Sequence, residues 1–278
     1  MNTLEFSLVV ALGSFLAGFL GSLTGLGGGV VIVPLLTLAF GVDMRYAIGA
    51  SLVSVIATSS GAAAAYLREG YSNMRVGMFL EIATTVGAVC GAFLAGYLST
   101  SVIAIIFGLV LLYSAYGSTR NYEETTADAP PDRLATLLNL DGSLPTEKGW
   151  ETYHVRRLPI GFGLMYVAGV LSGLLGIGSG AVKVLAMDQA MKIPFKVSTT
   201  TSNFMIGVTA AASAGIYLRN GYIDPGLAMP VMLGVLAGAL TGARVLPGAK
   251  VKTLRFVFAT VIAALAVEMI FKGIKGTL

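Results

Sequence analysis

The sequence predicts an all-α polytopic membrane protein made of two inverted-topology repeats of about five helical segments each. Three observations lead to this fold class: the composition, an internal repeat, and the placement of the basic residues. Of the 278 residues, 55% are hydrophobic and 12% are charged, whereas soluble domains carry about 25% charged residues. Residues 5–42 contain one acid, Glu5, and no base. At about 20 apolar residues per span, such a stretch belongs in a membrane.

A repeat relates the two halves of the chain. Residues 17–112 align with residues 168–263 at a constant offset of 151, without a gap. A Tyr-Leu-Arg sequence and a Gly-Ala-x-x-Gly sequence recur in both halves, and so does a cluster of glycines: Gly25, Gly27 and Gly29 match Gly176, Gly178 and Gly180. This register indicates an internal duplication. The Gly-x-x-x-Gly pairs are expected to be helix packing contacts.

Each repeat divides into five apolar segments. They cover residues 5–24, 29–41, 46–67, 76–98 and 101–118, then 158–175, 180–191, 196–218, 226–247 and 253–272. The second segment of each repeat has only about 12 residues, too few to cross a hydrocarbon core of about 30 Å. Because a glycine cluster precedes each one, we expect broken or re-entrant helices at these places.

The charges set the domains and the orientation. Repeat 1 covers residues 1–118, a polar connection covers 119–157, and repeat 2 covers 158–278. If each repeat crosses the membrane an odd number of times, 13 Lys and Arg residues lie on one side and 4 on the other. Four crossings per repeat would give a more even division. The positive-inside rule therefore favours inverted repeats, with the connection cytoplasmic and both termini on the periplasmic side.

Composition also excludes several classes of function. Cys90 is the only cysteine and His154 the only histidine, so no disulfide framework and no cluster of metal ligands is expected. The net charge of +4 does not come from a basic patch with interleaved aromatic residues, which argues against nucleic acid. We expect no catalytic residues, no cofactor and no metal.

The glycine clusters are the first candidate site. Several glycines before a short helix leave backbone N–H groups free at the positive end of its dipole, where an anion would satisfy them. We therefore predict substrate-binding positions at Gly27, Gly28 and Gly29 and at Gly178, Ser179 and Gly180. The alternative is that the glycines only permit close helix packing. Neither cluster fits the Gly-x-Gly-x-x-Gly nucleotide motif.

Lys183 is the most informative single residue. It lies in the short segment of repeat 2, where repeat 1 has Ile32. A lysine at the membrane centre costs roughly 2.5–3.5 kcal/mol, so it should face a cavity or a partner. We predict that it binds an anionic substrate. The alternatives are an ion pair with Asp188 and a side chain that snorkels to the interface.

Hydroxyl and amide groups of the third segments are further candidates. Ser51 and its counterpart Ser202 could line an anion path, as could Asn203, although Ser and Thr are also ordinary contacts between membrane helices. Two acids, Glu81 and Glu268, fall inside predicted spans. They are candidates for proton coupling, or for ion pairs near an interface.

The chain resembles the sulfite exporter TauE/SafE family of small bacterial permeases. The resemblance rests on the stretch Gly25–Gly29 followed by Val33-Pro34, on its counterpart at Gly176–Gly180, and on the chain length. It implies transport of a small sulfur-containing or organic anion, such as sulfite, a sulfonate or sulfoacetate, across the bacterial inner membrane. Two departures, Ser179 in the glycine run and Leu185 in place of proline, indicate an asymmetric site.

The leading hypothesis is therefore a secondary transporter, not an enzyme. Its partners would be a small anion and the lipid bilayer, and the sequence leaves a homodimer open. Export is favoured because an interior-negative potential drives an anion outward. The alternatives are a membrane-embedded lipid-phosphate enzyme and a passive anion channel. The enzyme is disfavoured because neither glycine cluster contains an acid or an arginine.

Overall fold

The computed structural model describes residues 3–24, 28–69, 72–119, 132–146, 149–245 and 251–277. The first half contains α1 (Thr3–Thr24), α2 (Gly29–Pro34), α3 (Met44–Glu69), α4 (Met74–Tyr97) and α5 (Thr100–Thr119). The connection contains α6 (Arg133–Leu137), β1 (Gly142–Thr146) and β2 (Gly149–Tyr153). The second half contains α7 (Leu158–Leu175), α8 (Gly180–Leu185), α9 (Phe195–Arg219), α10 (Pro225–Val245) and α11 (Val251–Lys275).

The helices lie where the apolar segments were predicted, and the prediction of a helical membrane protein is confirmed. Four described helices are long and apolar enough to cross a membrane: Met74–Tyr97, Thr100–Gly117, Leu158–Leu175 and Pro225–Gly242. The two short helices α2 and α8 begin at Gly29 and Gly180, which are 151 positions apart. Each continues into a π-helical turn, Leu35–Ala39 in the first half and Ala186–Ala190 in the second.

Helices of one half pack on helices of the other. The largest interfaces join α1 to α10, α4 to α7, α5 to α11 and α3 to α9. At the offset of 151, α1 corresponds to α7 and α10 corresponds to α4, so the first two interfaces are counterparts. The other two interfaces join helices that are each other's counterparts. The interior of the protein is therefore built between the halves.

Glycines at equivalent positions make these interfaces tight. A Cβ at Gly18 on α1 would clash with the backbone of Val235, and a Cβ at Gly169 on α7 would clash with the backbone of Thr84. The Gly-x-x-x-Gly pairs behave in the same way, since a Cβ at Gly87 would overlap the carbonyl of Tyr166. These pairs are packing contacts, as predicted, because only glycine lets the backbones come this close.

The connection is more structured than its charge suggested. Its two strands form an antiparallel hairpin, a β element that the prediction of a polar linker did not include. Asn73, just before α4, donates from Nδ2 to the Tyr153 hydroxyl at 2.8 Å and to the Leu140 carbonyl at 2.9 Å. Asp132 accepts from the backbone N–H of Leu158 at 3.0 Å. These bonds hold the connection against the ends of α4 and α7, and burial raises the pKa of Tyr153 to about 12.

Candidate functional site

The second glycine break is a left-handed turn between α7 and α8. Gly176 and Gly178 have φ of +68° and +72°, values that glycine adopts without steric cost. Ser179 between them and the helix has φ of +45°, and its hydroxyl donates to the carbonyl of Ala168. In the first break Gly28 has an ordinary helical φ of −67°, whereas the predicted site residue Gly27 lies outside the described residues.

The structure brings the two breaks together. The hydroxyl of Ser51 on α3 donates to the carbonyl of Gly176 at 2.8 Å. A Cβ at Gly29 would lie 3.3 Å from that same carbonyl oxygen and 3.0 Å from the Ser51 hydroxyl. The start of α2 and the turn before α8 are therefore in contact, with Ser51 between them.

Of the other predicted polar side chains, the two serines bond to the breaks and Asn203 does not do so among the described residues. Ser202 repeats the position of Ser51, and its hydroxyl donates to the carbonyl of Gly180 at 3.4 Å. Ser51 and Ser202 thus bond to backbone carbonyls at the breaks, and both are buried. Asn203 is half-buried, and the structure does not tie it to either break.

Lys183 is fully buried, with an exposed fraction of 0%. Its ammonium donates to the hydroxyl of Thr209 on α9 at 2.6 Å. The side chain therefore does not snorkel to an interface. The predicted alternative of an ion pair with Asp188 is not seen among the described residues, where Asp188 is also buried and interacts with Lys192.

A carboxylate completes the polar cluster around Lys183. Glu81 on α4 has an exposed fraction of 8%. Its Oε1 accepts hydrogen bonds from the hydroxyls of Thr209 at 2.7 Å and of Thr85 at 3.1 Å. Among the described residues, its Oε2 has no hydrogen-bond partner.

The direction of these hydrogen bonds follows from chemistry. An ammonium can only donate, so the Thr209 oxygen accepts from Lys183. Its single proton is then directed to Glu81 Oε1 or, along its own helix, to the carbonyl of Met205 at 2.9 Å. We call Lys183, Thr209 and Glu81 the buried charge relay. It joins one cation to one carboxylate through one hydroxyl, and all three side chains are buried.

Sequence reasoning found two members of the buried charge relay and missed the third. Lys183 was predicted as a site residue and Glu81 only as a candidate for proton coupling, while Thr209 was not singled out. The repeat held a usable signal, because at the offset of 151 Lys183 corresponds to Ile32 and Glu81 corresponds to Met232. The other candidate acid, Glu268, is about half exposed and lies 3.7 Å from Lys272.

Helical spans that enclose a buried cation, a buried carboxylate and two helix breaks are typical of membrane transport proteins. Comparison with known proteins identifies the family. A family model described as sulfite exporter TauE/SafE matches residues 10–269, so the chain belongs to this family. It is a membrane transporter.

Curated relatives from distant organisms agree with this identification. The probable membrane transporter protein YunE of Bacillus subtilis is 25% identical over 98% of this chain and 99% of its own length. The probable membrane transporter protein YdhB, also of Bacillus subtilis, is 26% identical over 85% of this chain and 89% of its own length. The probable membrane transporter protein MJ0441 of Methanocaldococcus jannaschii is 22% identical over 92% of each. No solved structure matches the chain.

Proposed function

We propose that this chain is a secondary transporter that moves a small sulfur-containing or organic anion, such as sulfite, a sulfonate or sulfoacetate, across the bacterial inner membrane. The observation that carries the proposal is the complete burial of Lys183 beside a helix break. A lysine ammonium has three N–H donors, and one of them is directed to a neutral hydroxyl. The cation therefore keeps donors for an anionic ligand.

Besides the ammonium of Lys183, an anion site needs further donors, and the glycine breaks supply backbone N–H groups. Lys183 lies in α8, which starts directly after Gly178 and Ser179. The backbone N–H groups at a helix start carry partial positive charge and bind oxyanions. An anion at this break would meet the ammonium of Lys183 on one side and these N–H groups on the other.

The sulfur-containing substrate class follows from the family, whose model is described as sulfite exporter. Sulfite and sulfonate oxygens accept several hydrogen bonds at once, as the breaks require. Phosphate-like chemistry would favour arginine, which bridges two oxygens, whereas a buried lysine supplies a single point charge. The site therefore fits a small compact anion.

The topology that we propose is two inverted repeats with re-entrant α2 and α8. In two copies related by a two-fold axis, each interface between the halves is expected to have a counterpart, as α1–α10 and α4–α7 do. The excess of Lys and Arg on one side supports an inverted arrangement with the connection cytoplasmic and the termini periplasmic. In this arrangement the two breaks enter the membrane from its two opposite faces.

We propose export as the favoured direction. Each negative charge that leaves an interior-negative cell is favoured by about 2.3 kcal/mol per 100 mV. A dianion such as sulfoacetate, moving alone, is favoured twice as strongly. No nucleotide motif occurs in either glycine break, so the electrochemical gradients are the energy source that we propose.

Flux into proteoliposomes tests the proposal. Purified protein should take up labelled sulfite and sulfoacetate with saturation, and unlabelled anion on the far side should accelerate this uptake. Lys183→Met should lower the rate more than tenfold, because the ammonium is lost. Lys272→Met is the matched control, since Lys272 lies at an exposed helix end beside Glu268, and it should retain the rate.

Three outcomes would overturn parts of this proposal. Wild-type flux in Lys183→Met would remove Lys183 from the site. Flux that neither saturates nor shows counterflow would indicate a channel. Release of inorganic phosphate from a lipid phosphate, without anion flux, would indicate an enzyme.

A further inference from the structure

The buried charge relay contains a group that anion binding does not need. Glu81 is as buried as the core around it, yet one of its oxygens, Oε2, has no hydrogen-bond partner among the described residues. Burying an unpaired carboxylate oxygen away from water costs free energy. Such a group in a native structure calls for an explanation, and a function is one. Its other oxygen is joined to the Lys183 ammonium through Thr209 by bonds of 2.7 and 2.6 Å.

The internal repeat shows that the two charges belong together. Thr209 corresponds to Thr58 at the offset of 151, and both hydroxyls bond to a carbonyl four residues earlier in their own helix. The hydroxyl is thus common to both halves. Glu81 lies in the first half and Lys183 in the second, and their counterparts Met232 and Ile32 are uncharged, so one of the two equivalent pairs has both charges and the other has neither.

The described helices that pack around Glu81 place few other charges near it. From α8 the facing charge is Lys183, which interacts with Glu81 electrostatically. From α9 the facing group is the neutral Thr209, and the charged residues Lys196 and Arg219 lie at the two ends of that helix. From α7 the titratable group is Tyr166, which contacts Cys90 further along α4. Lys183 is therefore the charged group among the described residues that acts on Glu81.

From these contacts we propose that Glu81 is the proton-coupling site of the transporter, and that a proton and the substrate anion bind together. The inference rests on the proposed function. When Glu81 is ionised, its carboxylate compensates the charge of Lys183 through Thr209. It therefore competes with an incoming anion for Lys183. A proton taken from water onto Oε2 neutralises the carboxylate, and Lys183 is then free to pair with the anion.

Binding is reciprocal, so the anion must also favour the proton. A monoanion added to an ionised relay would leave one uncompensated negative charge in an apolar interior, and a dianion would leave two. Uptake of one proton at Glu81 removes one of these charges. Cotransport of one proton with a dianion moves one net negative charge, which keeps export favourable in an interior-negative cell. Cotransport with a monoanion moves no net charge.

The experiment records protons and anions in the same proteoliposomes. A gradient of labelled sulfoacetate is imposed and the internal pH is followed with a trapped fluorescent dye. Sulfoacetate keeps one charge state between about pH 6 and pH 8, because carboxylates titrate near pH 4. Wild-type protein should move one proton with each sulfoacetate. Glu268→Gln, a change at a half-exposed acid in α11, should behave like wild type.

Glu81→Gln imitates the protonated state permanently. We expect anion exchange to become independent of pH, proton movement to disappear, and net gradient-driven flux to fall at least tenfold because an empty carrier with an uncompensated Lys183 returns slowly. If Glu81→Gln fails to fold, the ratio of protons to sulfoacetate moved by the wild-type protein still tests the proposal.

The outcomes separate the two levels of the argument. Absence of sulfite and sulfoacetate flux in wild-type protein would overturn the proposed function. Anion flux without proton movement in wild-type protein would overturn only the role of Glu81. Wild-type proton movement in a folded Glu81→Gln protein would also overturn that role.

Discussion

The sharpest test of the structure replaces each charged residue of the buried charge relay with its uncharged counterpart in the repeat. The perturbation is a cycle of three variants: Lys183→Ile, Glu81→Met, and both together. Isoleucine and methionine are the counterparts of these residues at positions 32 and 232. Each single variant leaves one charge in the relay, whereas the double variant leaves none there.

The size of the effect follows from burial and from the bonds that are lost. Lys183 is 0% exposed and Glu81 is 8% exposed, so neither charge can regain full hydration when its partner is removed. Lys183 and Glu81 are joined through the Thr209 hydroxyl, and the loss of one leaves the other buried and uncompensated, which costs up to about 3–5 kcal/mol in a direct ion pair. Replacing both members with apolar residues is commonly neutral, or stabilising by about 1–4 kcal/mol. We therefore expect two strongly destabilised single variants and a double variant close to wild type.

Unfolding by SDS in mixed micelles, followed by far-ultraviolet circular dichroism, would measure the cycle. The interaction energy is the difference between the double variant and the sum of the singles, and it should approach about 3 kcal/mol, the upper end of the range for residues in one network. Flux assays on the same samples should show that the stable double variant does not transport. Additive effects in the cycle would refute an energetic link through Thr209.

Three further predictions concern packing, the connection and the contact between the breaks. Gly169→Ala should destabilise the protein by about 1–3 kcal/mol because the methyl group overlaps the α4 backbone. Gly163→Ala meets open space and should stabilise its helix by up to about 1 kcal/mol. Raising the pH from about 10 to about 12 should destabilise the connection by about 2–3 kcal/mol: the pKa of Tyr153 is raised to about 12, so the phenol ionises first in the unfolded chain. The fluorescence of the single tryptophan would follow this transition, which Tyr153→Phe should remove. Ser51→Ala should cost about 1–3 kcal/mol by leaving a buried carbonyl of the second break unpaired, whereas Ser60→Ala, at an exposed hydroxyl, should change stability little.

Each of these comparisons has a result that contradicts its reasoning. Equal stability of the two alanine-for-glycine variants would show that the α4–α7 interface relaxes freely. An alkaline transition that persists in Tyr153→Phe would assign it to another group. Equal effects at Ser51 and Ser60 would show that the contact between the breaks contributes no stability.

Much of the fold could be predicted because its signals are local. Apolar segments and glycine clusters mark where helices begin and end, and α2 and α8 begin at Gly29 and Gly180, the starts predicted for them. The hairpin of the connection was not predicted, because the charged residues of that region indicate only exposure to solvent. Tyr153, which pairs with Gly142 in the hairpin, also bonds to Asn73 just before α4, and local composition does not report that contact.

The partner of Lys183 could not be predicted for a related reason. The burial cost of a lysine predicts that a partner exists, but the identity of the partner depends on which helices are neighbours. Thr209 and Glu81 are 128 positions apart in the chain and meet because α4 of the first half packs on α9 of the second. Asp188 was the nearer candidate in sequence, and it is buried elsewhere.

The duplication explains why an asymmetric site requires paired changes. Two copies of one unit provide two equivalent positions for a charge relay, each with a threonine, Thr58 on α3 or Thr209 on α9. Placing a lysine in one copy alone would cost several kcal/mol in the apolar interior, and so would a lone glutamate in the partner helix. The pair Ile32–Met232 and the pair Lys183–Glu81, each drawn from both halves, are the two combinations without this penalty. A charge relay at only one of the two positions gives the transporter one anion site, and the carboxylate that makes the lysine tolerable is also the group that can bind a proton when the anion replaces it.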